Sequence, residues 1–196
     1  EDAEHCAIIT GNLVVSETDA EALTLLHTLQ TVDGNFSIFE NDALTSASVD
    51  SLIEVGGYLG ISNNDALTSI SLGGLTTVDG YLGIYDHDAL TSFSIDSLTE
   101  IGADLYNYNN AALTSFSIDG LEYIGETVNI YNNDVITSFS IDSLTEVGGF
   151  VDISNHDALT SFSLDGLTDT GGNLDIYGNA ALTSISIDSL IEVGGY

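Results

Sequence analysis

Six aspartates recur at one interval in this chain: Asp50, Asp96, Asp119, Asp142, Asp165 and Asp188 form a column of period 23, broken only by Gly73. A second column holds Asp42, Asp65, Asp88, Asp134 and Asp157. Stacked carboxylates are hard oxygen ligands, and the ion they suit is Ca2+. If rungs lie about 4.8 Å apart, each like-charged pair repels by about 1 kcal/mol in water and up to about 4 kcal/mol near a protein surface. Three reliefs are open: bonds from backbone N–H groups at a corner, shared divalent cations, or raised carboxyl pKa values. Neither an EF-hand loop nor the Gly-Gly-x-Gly-x-Asp nonapeptide of calcium β-rolls occurs, so calcium rests on the columns alone.

Three further columns share the period. Tyr85, Tyr108, Tyr131 and Tyr177 occupy an outward strand position, with Phe39 in an earlier coil and Tyr58 and Tyr81 close by in sequence. Such a stripe either contacts a glycan or a second protein, or stiffens a sheet by cross-strand stacking. Thr68, Thr91, Thr114, Thr137 and Thr160, with Thr45 and Thr183 at either end, are each followed by Ser; the array resembles the threonine faces of ice-binding β-solenoids, although the Thr-Ser pair precedes a strand and reads as a turn. Asn41, Asn64, Asn110, Asn133 and Asn179, with His87 and His156 substituting, read as an inward ladder whose amides satisfy corner backbone groups. His5 and His27 read as surface residues of a cap. Asn35-Phe36-Ser37 is an N-glycosylation sequon, and Cys6 is a lone cysteine, either the candidate for an intermolecular disulfide or a buried free thiol.

Composition narrows the partners. The 196 residues include 31 acidic side chains and no Lys, Arg, Pro, Met or Trp, for a net charge of −31. Such a field repels phosphate backbones and anionic headgroups, which excludes nucleic acid and argues against a membrane surface; no stretch is apolar enough to insert into one. Hydrophobic residues nevertheless make up 43% and recur strictly, so the chain folds rather than staying disordered. Glu1-Asp2-Ala3-Glu4-His5 has neither a basic nor an apolar leader region; the expectation is a mature chain that is secreted, extracellular or displayed on a cell surface. No nucleophile elbow, phosphate loop or metalloprotease motif is present, and carboxylates in a uniform repeat lack the contrasting environments that acid and base catalysis requires, so no enzyme is expected.

The elements that position these columns follow from the apolar residues. Leu44, Leu67, Leu90, Leu113, Ile136, Leu159 and Leu182 are spaced by 23 without an insertion, and within a coil Phe93/Ile95 and Leu59/Ile61 alternate as short strands do. Each coil therefore reads strand, corner, strand, corner, with Gly supplying positive φ at corners and Asn and Asp supplying side-chain bonds. The expected fold is an all-β parallel β-solenoid: residues 1–38 a cap and degenerate coils, 39–196 regular coils, a rod about 40 Å long. Leu-Thr-Ser-hydrophobic-Ser-hydrophobic, then Leu-Thr-Glu-Val-Gly-Gly, then Leu-x-Ile-x-Asn-Asn, with Cys6 shortly before Gly11-Asn12-Leu13, resembles the receptor L-domain branch of the leucine-rich repeats. The resemblance covers nearly the whole chain. It implies a solenoid fold and, among functions, ligand binding, adhesion or wall building. The chain departs from that pattern in lacking a second cap cysteine and in its greater regularity.

Regularity points to an extracellular structural or adhesive scaffold. Because Glu192-Val193-Gly194-Gly195-Tyr196 matches Glu146-Val147-Gly148-Gly149-Phe150 and stops in mid-coil, the expectation is that the chain continues or that another subunit covers this end, with self-association into a filament or surface layer. The alternative is a module that recognises ice, glycan or protein through its Thr or Tyr face.

Overall fold

A computed structural model describes residues 7–20, 23 and 26–195. The chain is an all-β solenoid of about 8 coils of ~23 residues, with every strand pairing parallel. Successive coils stack in register: Leu59, Leu82 and Leu105 are direct partners, as are Ile70 and Phe93, and Val78 and Ile101. The 23-residue interval of the sequence is therefore the step from one rung to the next.

From Phe36 onward each coil holds three strands rather than the expected two. In one coil they are Leu82–His87, Ser92–Ser94 and Glu100–Ile101. They build three lateral faces: an eight-stranded sheet that carries the tyrosine stacks, a serine-rich face, and a nine-stranded sheet made mostly of two-residue strands. The two-residue strand is too short to alternate, which is why its pattern was not visible as a strand. Phe93 and Ile95, expected on one strand, are split; Phe93 lies within Ser92–Ser94 and Ile95 begins the next corner. The serine face is itself divided between Ser115–Ser117 and Ser138–Ser140. There the Phe116 and Phe139 rings turn by 27°, against 9–11° at Phe93/Phe116 and Phe139/Phe162. Val135-Ile136 replaces the usual Ala-Leu at the same step.

Every coil directs the same residues inward. Leu82, Ile84, Leu90, Phe93, Ile95, Leu98 and Ile101 are all buried and join one continuous core. Burying each such side chain stabilises by roughly 1.5–3 kcal/mol. In the last coil Leu182, Ile187 and Leu190 are only partly buried, and Ile191 is 82% exposed.

The corners differ from expectation in one respect. Positive φ falls at Glu17, Glu40, Asn63, Asp86, Asn109, Asn132 and Asn155, one per coil, and among described glycines only at Gly178. Asn and Asp tolerate the left-handed region because their short polar side chains bond locally. The glycine pairs serve a different purpose. A Cβ on Gly148 would lie 2.1 Å from the Gly125 carbonyl oxygen of the coil beneath. Glycine is there because one backbone sits directly on another.

Candidate functional site

The inward polar column fixes the corner next to the tyrosine face. Asn64 is fully buried; its Nδ2 donates to the carbonyls of Ser62 (2.9 Å) and Ile38 (3.0 Å), and its Oδ1 accepts from the Asn41 backbone N–H (3.0 Å). The amide thus ties its own coil to the one before it. His87 and His156 do the same work with a ring. The Nδ1 of His87 accepts from the Asn64 N–H (3.3 Å) and its Nε2 donates to the Ile61 carbonyl (3.1 Å), which defines the neutral tautomer. His156 repeats this with Asn133 (3.1 Å) and Ile130 (3.1 Å). Burial holds both imidazoles below the ordinary histidine pKa. Both are closed off inside the fold.

One coil breaks the pattern. Asn107 stands in a column otherwise filled by Ile38, Ile61, Ile84, Ile130 and Ile153, and is 1% exposed. Its Oδ1 accepts from Asn110 Nδ2 (2.8 Å), while its own Nδ2 and the Asn110 Oδ1 are buried without partners. Here the strands Leu82–His87 and Leu105–Asn110 are longer than those of other coils.

The first aspartate column lies along an exposed corner and is met by hydroxyls and backbone. Asp50 accepts from Ser48 Oγ (2.8 Å), Ser71 Oγ (2.5 Å) and the Gly73 N–H (3.1 Å). Asp96 accepts from Ser94 Oγ (2.6 Å), from Ser117 Oγ and from the Asp119 N–H. Asp142 and Asp165 repeat the bond to the next serine, Ser163 and Ser186, and to the N–H of the next coil's aspartate, Asp165 (3.2 Å) and Asp188 (3.4 Å). The series is interrupted at Asp119, where the serine face divides. Donation by Ser71, Ser117 and Ser186 in particular pulls the Asp50, Asp96 and Asp165 carboxyls below the usual carboxylate range. The relief at these three is hydrogen bonding, and the alternative of raised pKa values is overturned there. Among the described residues no group of three or more His, Cys, Asp or Glu side chains is placed to share a metal ion.

The threonine column is exposed, and its hydroxyls bond along the rod. Thr68, Thr91, Thr114, Thr160 and Thr183 each donate to the carbonyl of the threonine one coil before, at 2.9–3.2 Å. Thr137 occupies the same exposed position. Beside this column run two outward serine rows, and Ser92, Ser94, Ser115 and Ser117 line a shallow groove with Phe93 and Phe116. A second threonine column, Thr76, Thr99, Thr145 and Thr168, bonds in the same way on another face. It was missed because Glu122 interrupts it and Ile53 and Ile191 begin and end it.

On the eight-stranded sheet Tyr85, Tyr108 and Tyr131 stack face to face, with centroids 4.7 Å apart at each step. Tyr58 and Tyr81 form a second stack at 4.6 Å. Tyr106 joins the two through edge contacts to Tyr81 (5.7 Å) and Tyr108 (6.4 Å). Sequence reading missed Tyr106; it lies two residues before Tyr108 and so on the same side of its strand. The rings lean over the sheet: a Cβ on Gly83 would meet Tyr85 at 2.8 Å and Tyr81 at 3.3 Å. Partial burial raises the Tyr81 and Tyr106 phenols to about 12, and Tyr106 donates to Asp104 Oδ2 at 2.9 Å. Tyr177 stands apart, 54% exposed, and donates to Asp152 (3.2 Å). Stacking turns the ring faces of Tyr85, Tyr108 and Tyr131, and those of Tyr58 and Tyr81, toward one another.

Ser37 of the glycosylation sequon is buried, and Asn35 Oδ1 accepts the Tyr58 backbone N–H (3.1 Å). His27 is on the described surface, whereas His5 and Cys6 lie outside the described residues. No family model, no curated protein and no solved structure matches the chain.

Proposed function

We propose that the protein is an extracellular structural or adhesive scaffold whose working surface is its hydroxyl face. The observation that carries this reading is the run of exposed Thr and Ser rows on the serine-rich face, in register from Ser46 to Ser117 and again from Ser138 to Ser186 on either side of the break. A surface of that kind complements a repeating partner rather than a single small molecule. The threonine hydrogens are engaged along the rod, so the oxygens remain as acceptors for an outside donor. The matching partner is an uncharged, hydroxyl-bearing polymer surface such as an insoluble polysaccharide. The resemblance to receptor L domains supports placement outside the cell, and the charge of −31 supports an uncharged rather than an anionic partner.

Co-sedimentation with cellulose, chitin and cell-wall material tests this. Wild-type protein should pellet, and Ser92→Trp with Ser138→Trp, both outward and exposed, should leave it in the supernatant. Wild type staying in solution with all three would sink the reading. The same rows, spaced at about 4.8 Å, also support binding of an ordered water layer. Thermal hysteresis abolished by the two tryptophans would select ice over polysaccharide.

A further inference from the structure

We propose that the tyrosine face is a site of oxidative cross-linking, at which stacked tyrosines of successive coils join through a carbon–carbon bond ortho to their hydroxyls. Composition gives the first reason. The chain has no Met, no Trp and a single Cys, so beyond Cys6 its nine tyrosines are the side chains that most readily give up one electron. Geometry gives the second. Tyr58/Tyr81, Tyr85/Tyr108 and Tyr108/Tyr131 are parallel to within 5°, 11° and 4° at 4.6–4.7 Å, and Tyr106 links the two stacks into one network. All six rings are half-buried, so an oxidant reaches them while the sheet holds each against its neighbour.

The Tyr106 hydroxyl already donates to Asp104, which therefore stands ready to accept the proton when that ring is oxidised. A peroxidase with hydrogen peroxide supplies the oxidant. Each of two phenols loses one electron and its hydroxyl proton; the two radicals couple carbon to carbon, and the ring hydrogens then migrate to the oxygens. The two electrons and two protons reduce one peroxide to two waters. Coupling stays within a chain because a charge of −31 keeps separate chains apart in dilute solution.

The test treats the whole chain with peroxidase and peroxide at low ionic strength, then reads dityrosine fluorescence, gel mobility and cross-linked peptides after cleavage at acidic residues, since there is no Lys or Arg for trypsin. The expected product is a monomer whose cross-links map to Tyr58–Tyr81, Tyr85–Tyr108 and Tyr108–Tyr131, with the urea midpoint raised. Tyr108→Phe keeps a ring in the stack and should abolish the last two links while sparing the first. Dityrosine confined to dimers through Tyr177 or Tyr123, the same pairs forming in urea-unfolded chain, or no dityrosine at all would overturn the proposal.

Discussion

Replacing Asn107 with Ile should make this protein more stable, and the structure sets the size of the effect. Asn107 is buried in a column of isoleucines with an unpartnered Nδ2, and it diverts the Asn110 amide, whose Oδ1 is also left unpartnered. A buried donor without an acceptor costs about 1–3 kcal/mol. Burying the added aliphatic carbons gains about another 1–2 kcal/mol, since each CH2 contributes roughly 0.8 kcal/mol. Against this, Asn110 Nδ2 loses the Asn107 Oδ1, about 1 kcal/mol. That loss is recovered if Asn110 turns to the carbonyl two residues back, as Asn64 does to Ser62 and Asn41 to Phe39. The net gain is about 2–4 kcal/mol, which for a chain of this length raises Tm by roughly 5–15 °C. Urea and thermal melts followed by far-ultraviolet circular dichroism would measure it, with hydrogen exchange to confirm that protection grows around residues 105–110. The mirror change, Ile130→Asn in the next coil, should lower stability by about 3–5 kcal/mol. A midpoint for Asn107→Ile that is unchanged or lower would refute the reasoning that the buried amide is a defect.

Two further outcomes follow from the same geometry. Because the fold holds His87 and His156 below the free imidazole value, the unfolded chain takes up protons first, and stability is full above about pH 6.5 and falls as pH drops towards the folded pKa. His87→Asn with His156→Asn, which restores the residue of the neighbouring coils, should flatten Tm between about pH 7.5 and 5.5; an undiminished slope would assign the effect to other groups. Gly148→Ala, whose Cβ would meet the Gly125 carbonyl, should cost about 1–3 kcal/mol, whereas Gly60→Ser, with its nearest atoms at 3.7 Å and beyond, should be neutral by urea melt.

The solenoid and its period were legible because Leu44 and its equivalents repeat without a single insertion, and stacking then follows. The inward Asn column was legible too, since a polar residue held at one position among buried neighbours has few roles besides bonding backbone. Other features lay beyond a pattern of residue types. A two-residue strand such as Glu100–Ile101 cannot show alternation, so the third face disappeared into a corner. Glycine pairs suggested positive φ, but what selects glycine at Gly148 is the carbonyl of the coil below, a contact made across 23 residues. Tyr106 was hidden because its column holds Gly60, Gly83, Asn129 and Asp152 and so has no consistent type. The serines that meet the aspartates were visible as letters, but their bonds run to a carboxylate 21 residues earlier, a distance that only the closed coil reveals.

Most polar contacts in this molecule join a residue to its counterpart one coil away, as Thr91 does to Thr68 and Asn133 to Asn110. Each rung therefore presents to the next the same template it received. Deleting or duplicating one 23-residue unit within the uniform stretch leaves every remaining contact with an equivalent partner, so such a chain can change its reach in increments of about 4.8 Å without a new core having to be found. Length in this architecture is open to genetic slippage in a way that a globular fold, whose parts are all different, does not permit.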